Sequence, residues 1–216
     1  MIVRVGVLLL IAAASALASV WRINFAFDRI LSTVPLDKTR LHDISFDVDH
    51  KTTSSGFIEF YLENGTVGNF RRRVRRKGDC HFSGQVTLAA PYFVTSCRFT
   101  ALGLVAKYDV EVIADGKTER TSVEAVVFNG SIIAGFSSHF GDCSKCTKPY
   151  TFQVQSVSAK LLNFGVPIDL PGDVMKEIET QFLNRIQTEI THALNTTYKE
   201  ALEAKMAPIK ANVFAR

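Results

Sequence analysis

The sequence predicts an α+β fold in which a strongly curved antiparallel β-sheet wraps one long C-terminal α-helix, with a shorter N-terminal helix beside it. Three observations carry that expectation. Between Asp173 and Met206, apolar residues fall at every fourth position: Val174, Ile178, Phe182, Ile186, Ile190, Leu194, Tyr198, Leu202 and Met206, with no Pro or Gly among them. From Phe57 to Phe164 the apolar period drops to two, in segments broken at Asp115-Gly116 and Asn129-Gly130, which are strong hairpin signals. No strand–helix alternation occurs, so a parallel sheet is not expected.

The long helix would measure about 50 Å at ~1.5 Å per residue. A repeat of four advances about 40° per step around a helix of 3.6 residues per turn, so the stripe winds around the cylinder. Glu189, Glu200 and Glu203 keep a polar side, which excludes a membrane span. A flat partner cannot bury a winding stripe; a twisted sheet that wraps the helix can. Asp169 or Asp173, beside Pro171-Gly172, is the expected N-cap.

Taken in order, the chain opens on a basic Arg4, an apolar run from Val5 to Ala13 and Ala16-Leu17-Ala18, the pattern of a secretory signal peptide over residues 1–18. Residues 19–216 are then expected to form a single exported domain with length enough for an ample core. Export turns four cysteines into a disulfide count with three possible pairings. Cys80–Cys97 and Cys143–Cys146 are the expected pairs. The second closes a tight loop between two strand-like stretches, whereas a redox motif needs a helix N-terminus at that place. Asn64, Asn129 and Asn195 each head a glycosylation sequon, and Asn129 is placed at a hairpin tip.

Val20, Ile23, Phe27, Ile30, Leu31 and Val34 make a helical stripe that stops at Pro35. Trp21, Ile23, Phe25 and Phe27 also alternate, which leaves a strand open as the alternative. Leu36 to Gly56 reads as a polar connector with at most an edge strand at Ile44, Phe46 and Val48. Phe57 to Leu62 is a strand. Val86 to Phe99 is a long one with Pro91 in its middle, which demands an edge, bend or bulge. Leu104 to Val112 alternates dry and wet, Val123 to Phe128 and Ile132 to Phe136 form a further hairpin, and Tyr150 to Phe164 closes the series.

This order of elements resembles the juvenile-hormone-binding-like and mite group 7 allergen-like proteins, within the tubular lipid-binding superfamily that includes the bactericidal/permeability-increasing type. The resemblance rests on Gly56-Phe57-Ile58-Glu59-Phe60 leading through Val67-Gly68-Asn69-Phe70 to a basic segment and Gly78-Asp79. It also rests on Leu88-Ala89-Ala90-Pro91-Tyr92-Phe93 ahead of Tyr108, and on Ser156 to Gly165 with Pro167 before the last helix. It implies a sheet rolled around the long helix, open at one end, enclosing an apolar groove for a hydrophobic or amphipathic ligand, and no enzymatic activity. Phe27, Ile30, Leu31, Phe182, Ile186, Ile190 and Leu194 are core residues in any fold and the candidate lining of that groove.

Six of the seven residues from Arg71 to Lys77 are basic: Arg71, Arg72, Arg73, Arg75, Arg76 and Lys77. Such a run reads as a solvated loop or as a site for an anionic surface: acidic lipid, lipopolysaccharide or a sulfated glycan. Nucleic acid is not expected as a partner of an exported protein. Catalysis finds little footing. His42, His50, His81, His139 and His192 lack metal-site spacing, and Gly135 to His139 lacks the second Gly of a nucleophile elbow. Neither a metal nor a cofactor is expected. Two functions follow: a secreted carrier holding a lipid or other hydrophobic ligand between helix and sheet, or the same fold with a filled core that binds an anionic partner through its basic run.

Overall fold

The computed structural model describes residues 20–49, 53, 56–86, 91–139, 147–165 and 170–209, with the backbone alone for 82–86, 91–93 and 139. The expected signal peptide, the Cys143–Cys146 staple, Asp169, and Leu88 to Ala90 lie outside the described residues.

Helix α1 runs over residues 20–33 and ends ahead of Pro35, which decides for helix over strand at Trp21 to Phe27. Its Ile23, Phe27, Ile30 and Leu31 are buried, as is Val34 just beyond its end. Nine strands of one antiparallel sheet follow among the described residues: β1 (Lys38–Arg40), β2 (Ile44–Asp49), β3 (Phe57–Gly68), β4 (Val74–Arg76), β5 (His81–Val86), β6 (Pro91–Ala101), β7 (Val105–Ala114), β8 (Lys117–His139) and β9 (Thr147–Phe164). A one-turn helix, α2 (Phe70–Arg73), leads into β4, and α3 follows β9 as Gly172–Ala193, a π-helical turn at Leu194–Tyr198, and Lys199–Met206.

The topology is a fork. Strand β8 pairs with β7 from Lys117 to Val126, then with β6 from Ser131 to His139, along one edge. Its other edge carries β9 from Val123 to Ser138. One wing continues from β7 to β3, whose outer edge is shared by β2 and β1; the other continues from β6, whose outer edge is shared by β5 and β4. The inward positions of each strand, such as Ile58, Phe60 and Leu62 in β3 or Ala106, Tyr108, Val110 and Val112 in β7, are buried against the helices.

The stripe on α3 performs as its spacing predicts. Every fourth residue from Ile178 to Met206 is 0–1 % exposed. The π turn is part of the reason. A turn closed by i→i+5 bonds holds one more residue than an α turn, so it sets the winding stripe back and keeps Leu194 and Tyr198 on the core side. The cap differs from expectation. Pro171 takes the N-cap place, its carbonyl accepting from the Met175 N–H at 3.0 Å, while Asp173 sits inside the first turn, where its charge meets the positive helix end.

Ring packing fills the interior. Phe182 meets Phe46, Phe60 and Phe164 with centroids 5.0–5.4 Å apart. Phe27 meets Phe99 and Phe136 at 6.3 and 5.9 Å, and Phe70 stacks on Tyr198 at 5.6 Å. Each such ring, fully buried, stabilises the fold by about 1.5–3 kcal/mol.

Three strand expectations are corrected. The polar connector from Leu36 to Gly56 supplies two edge strands rather than at most one, because the 12-residue outer edge of β3 has room for both β1 and β2, one beside the other along its length. Val86 to Phe99 is no single strand: Val86 and Pro91 face each other as the ends of a β5–β6 hairpin. Pro91 therefore opens a strand, the place where a missing N–H costs no ladder bond. Asp115-Gly116 turns the chain as expected, with both residues at positive φ (52° and 72°). Asn129-Gly130, the same kind of signal, does not.

Asn129 and Gly130 lie inside β8, opposite Ser158 and Val157, at the fork between its two wings. A Cβ on Gly130 would stand 2.8 Å from the Ala101 carbonyl oxygen, so the glycine serves a close crossing by the end of β6 rather than a turn. A shift of register between Val127 and Asn129 leaves Phe128 and Asn129 both exposed. The Asn129 sequon is thus on a strand and not at a hairpin tip. The other two, Asn64 and Asn195, are also exposed.

A candidate site beside the N-terminal helix

Helix α1 has three faces, and each does something different. The first is the buried stripe. The second carries Asn24, Asp28 and Ser32, spaced by four, and is laced to the basic segment. Asn24 donates to Asp79 Oδ1 at 2.7 Å and accepts from the Cys80 N–H at 3.0 Å. Asp28 takes a two-pronged contact from Arg76, with Nε–Oδ1 at 3.1 Å and Nη2–Oδ2 at 2.9 Å. Arg71 Nε donates to the Ser32 carbonyl at 2.8 Å. Cys80 is bonded to Cys97, the pairing expected from the sequence, which ties the same segment to β6.

The basic run is therefore not one uniform patch. Arg71 and Arg76 are tethers for α1, Arg76 also donating to the Gly78 carbonyl. Val74 between them is buried, because the run enters the sheet as β4 instead of forming a loop. Arg75 donates to the Arg71 carbonyl at 3.0 Å. Arg71 is exposed even at its tether, and Arg72, Arg73, Arg75 and Lys77 are exposed with it.

The third face of α1 opens a groove of about 740 Å³ against the C-terminal end of α3. Trp21, Phe25, Ala26 and Ile30 supply its apolar wall from α1, with Pro208 and Ile209 opposite; Arg22, Arg29 and Lys205 rim it. Trp21 and Phe25 stack at 5.7 Å and stay 67 % and 58 % exposed. The far wall is pinned: the Ile209 carbonyl accepts from Thr147 Oγ1 at 2.6 Å, and that hydroxyl meets Ser138 Oγ at 2.8 Å. Size, apolar lining and a few charged groups match the usual make-up of a small-molecule site.

The seven residues named from sequence as a groove lining fall in the core. Phe27, Phe182, Ile186, Ile190 and Leu194 are 0 % exposed, Leu31 is 2 % and Ile30 is 7 %. Side chains without accessible surface face packed neighbours, not open space. Ile30 alone of the seven lines the groove described above. Sequence reasoning missed Trp21, Arg22, Phe25 and Arg29. The signal was there in the alternation of Trp21 and Phe25 with Ile23 and Phe27, which gives a helix two apolar faces instead of one.

Two buried tyrosines show what the interior does to a polar group. Tyr108 donates its hydroxyl to the His42 carbonyl at 3.0 Å. Tyr198, stacked on Phe70, has no hydrogen-bond partner for its hydroxyl among the described residues. Burial pushes both phenols well above the ordinary tyrosine value of 10.0. A folded-state pKa raised this way contributes stability that is complete below pH 10 and is lost above it, as the unfolded chain ionises first. Tyr198→Phe should then raise the unfolding free energy at neutral pH by about 1 kcal/mol, read as a higher urea midpoint, from removing an orphaned hydroxyl. It should also flatten the decline measured between pH 10 and 11.

Among the described residues no three His, Cys, Asp or Glu side chains gather as a metal site. His42 and His192 stand 5.0 Å apart on the surface beside Glu189, which accepts from His42 Nδ1 at 2.8 Å. No described helix is long and apolar enough to cross a membrane.

No protein-family profile matches the chain, and no curated protein matches it significantly. Among solved structures it is similar to a lipopolysaccharide binding protein at 11 % identity and a TM-score of 0.35, covering 83 % of this chain and 38 % of that one. It is also similar to Takeout 1 of Epiphyas postvittana, at 13 % identity and a TM-score of 0.39, covering 85 % of this chain and 86 % of that one.

Proposed function

We propose that the protein is a secreted, non-enzymatic binding protein of the tubular lipid-binding kind, and that its ligand is a lipid or other amphipathic molecule held in the groove between α1 and the end of α3. The observation that carries this reading is the groove itself: about 740 Å³, walled by Trp21, Phe25, Ala26, Ile30 and Ile209. An apolar wall takes a hydrocarbon chain, and Arg22, Arg29 and Lys205 at its rim suit a negatively charged head. The signal-peptide pattern and the Cys80–Cys97 bond support export. The location differs from the space between helix and sheet that the resemblance implies; the ring contacts of Phe182 with Phe46, Phe60 and Phe164 in that space support the outer groove instead. The basic run supports the second reading, an anionic partner, with the five side chains it leaves exposed.

The test is titration with cis-parinaric acid, whose fluorescence rises in an apolar site, alongside lipid extraction and mass spectrometry of the secreted protein. Ala26→Trp, which fills the groove, should abolish the signal while leaving the thermal transition in place. Binding that survives Ala26→Trp would put the ligand between helix and sheet. A protein that neither carries lipid nor takes up the probe is no carrier.

A further inference from the structure

Trp21 is the single tryptophan of the chain, and it lies outside. The other aromatic residues of α1 and α3 are almost all buried, so a Trp21–Phe25 stack left in solvent is an apolar patch without a covering partner among the described residues. Three cations surround it. Arg22, Arg29 and Lys205 line the same groove, no carboxylate lines it with them, and none of the three makes an ion pair among the described residues. The nearest acid on α1, Asp28, is already held by Arg76. A helix with aromatic rings and arginines on its free face, and its other faces anchored in a rigid domain, has the chemistry of an interfacial helix.

We propose that the outer face of α1 docks on an anionic lipid bilayer. Trp21 and Phe25 enter the boundary between headgroups and acyl chains, Arg22, Arg29 and Lys205 lie over anionic headgroups, and the groove mouth faces the membrane. The charge pattern favours this occupant over a protein, since the rim is of one sign throughout. The docking does not depend on the groove holding a ligand: the face can bind a bilayer with the groove empty.

The test is flotation of the full secreted chain with phosphatidylcholine vesicles made with and without phosphatidylserine, read together with Trp21 emission. Binding should require phosphatidylserine, fall steeply with added salt, shift the emission to the blue and make it quenchable by brominated acyl chains. Trp21→Ala with Phe25→Ala should weaken partitioning roughly tenfold or more. Each of Arg22→Gln, Arg29→Gln and Lys205→Gln should weaken it about fivefold. Both aromatic positions are exposed, so the variants should keep the parent's thermal transition. Three outcomes overturn the proposal. Flotation without any change at Trp21 would mean docking by another face. Trp21 shielded from acrylamide in the free protein, and released by ending the chain at Ile209, would mean that the tail of residues 210–216 occupies the face. Shielding lost on dilution would mean that a second copy does. Loss of parinaric acid binding with docking intact would bear on the carrier function alone.

Discussion

Ile186→Pro should yield no folded protein: no cooperative thermal transition, no near-ultraviolet aromatic signal, and none of the chain exported. Ile186 sits near the middle of α3 and is 0 % exposed. Proline there removes its own N–H bond and drives its ring against the Phe182 carbonyl, a loss of about 3 kcal/mol or more. The kink also displaces everything beyond it, and the stripe from Ile190 to Met206 is the surface on which much of the sheet closes. Added to the loss of a buried aliphatic side chain, about 1.5–3 kcal/mol, the damage rivals the roughly 5–15 kcal/mol that holds a typical domain together. Two companions fix the interpretation. Ile186→Val, which keeps the helix, should cost only about 0.5–1.5 kcal/mol. Asp173→Pro, in the first turn, should be tolerated. An Ile186→Pro protein that still melts cooperatively would show that the sheet stands without its central helix.

Gly65→Ala is the second severe substitution. Gly65 lies at a break in register between Glu63 and Thr66 of β3, where the backbone passes directly over the Tyr108 ring. A Cβ would stand 2.2–2.9 Å from three ring carbons. The ring has nowhere to go, being 1 % exposed and held by its hydroxyl to the His42 carbonyl. Overpacking of this kind costs about 1–3 kcal/mol and sometimes more; the upper end is expected, read as a drop in urea midpoint. Shrinking the ring tests the cause. In Gly65→Ala with Tyr108→Leu the combined loss should fall well short of the sum of the two single losses. Additive losses would locate the strain elsewhere.

What the sequence revealed followed the range of each interaction. The stripe on α3 was readable because burial on a helix repeats along the chain itself, and the alternation of Ala106, Tyr108, Val110 and Val112 was readable for the same reason. The π turn was not, since Leu194 to Tyr198 carries no local mark of it. Asp115-Gly116 and Asn129-Gly130 present the same turn chemistry, yet only the first turns the chain. The second is decided by Ala101, a neighbour far away in sequence. Likewise the basic run announced its charge but not that Asp28 and Ser32 would claim two of its members. The groove depended on bringing residues 21–33 to residues 205–209, nearly the full length of the chain apart, and neither segment alone predicts it.

The fork at β8 has a consequence for how the molecule breathes. Its amides from Val123 to Val126 and from Ser131 to Ser138 belong to stretches bonded along both edges, so they should be the last to trade hydrogen for deuterium. Between them, where the crossing Gly130 sits, neither wing grips β8 through a regular ladder. The two wings can therefore loosen in turn about one short stretch where β8 pairs with β9 alone, each opening while the other stays closed.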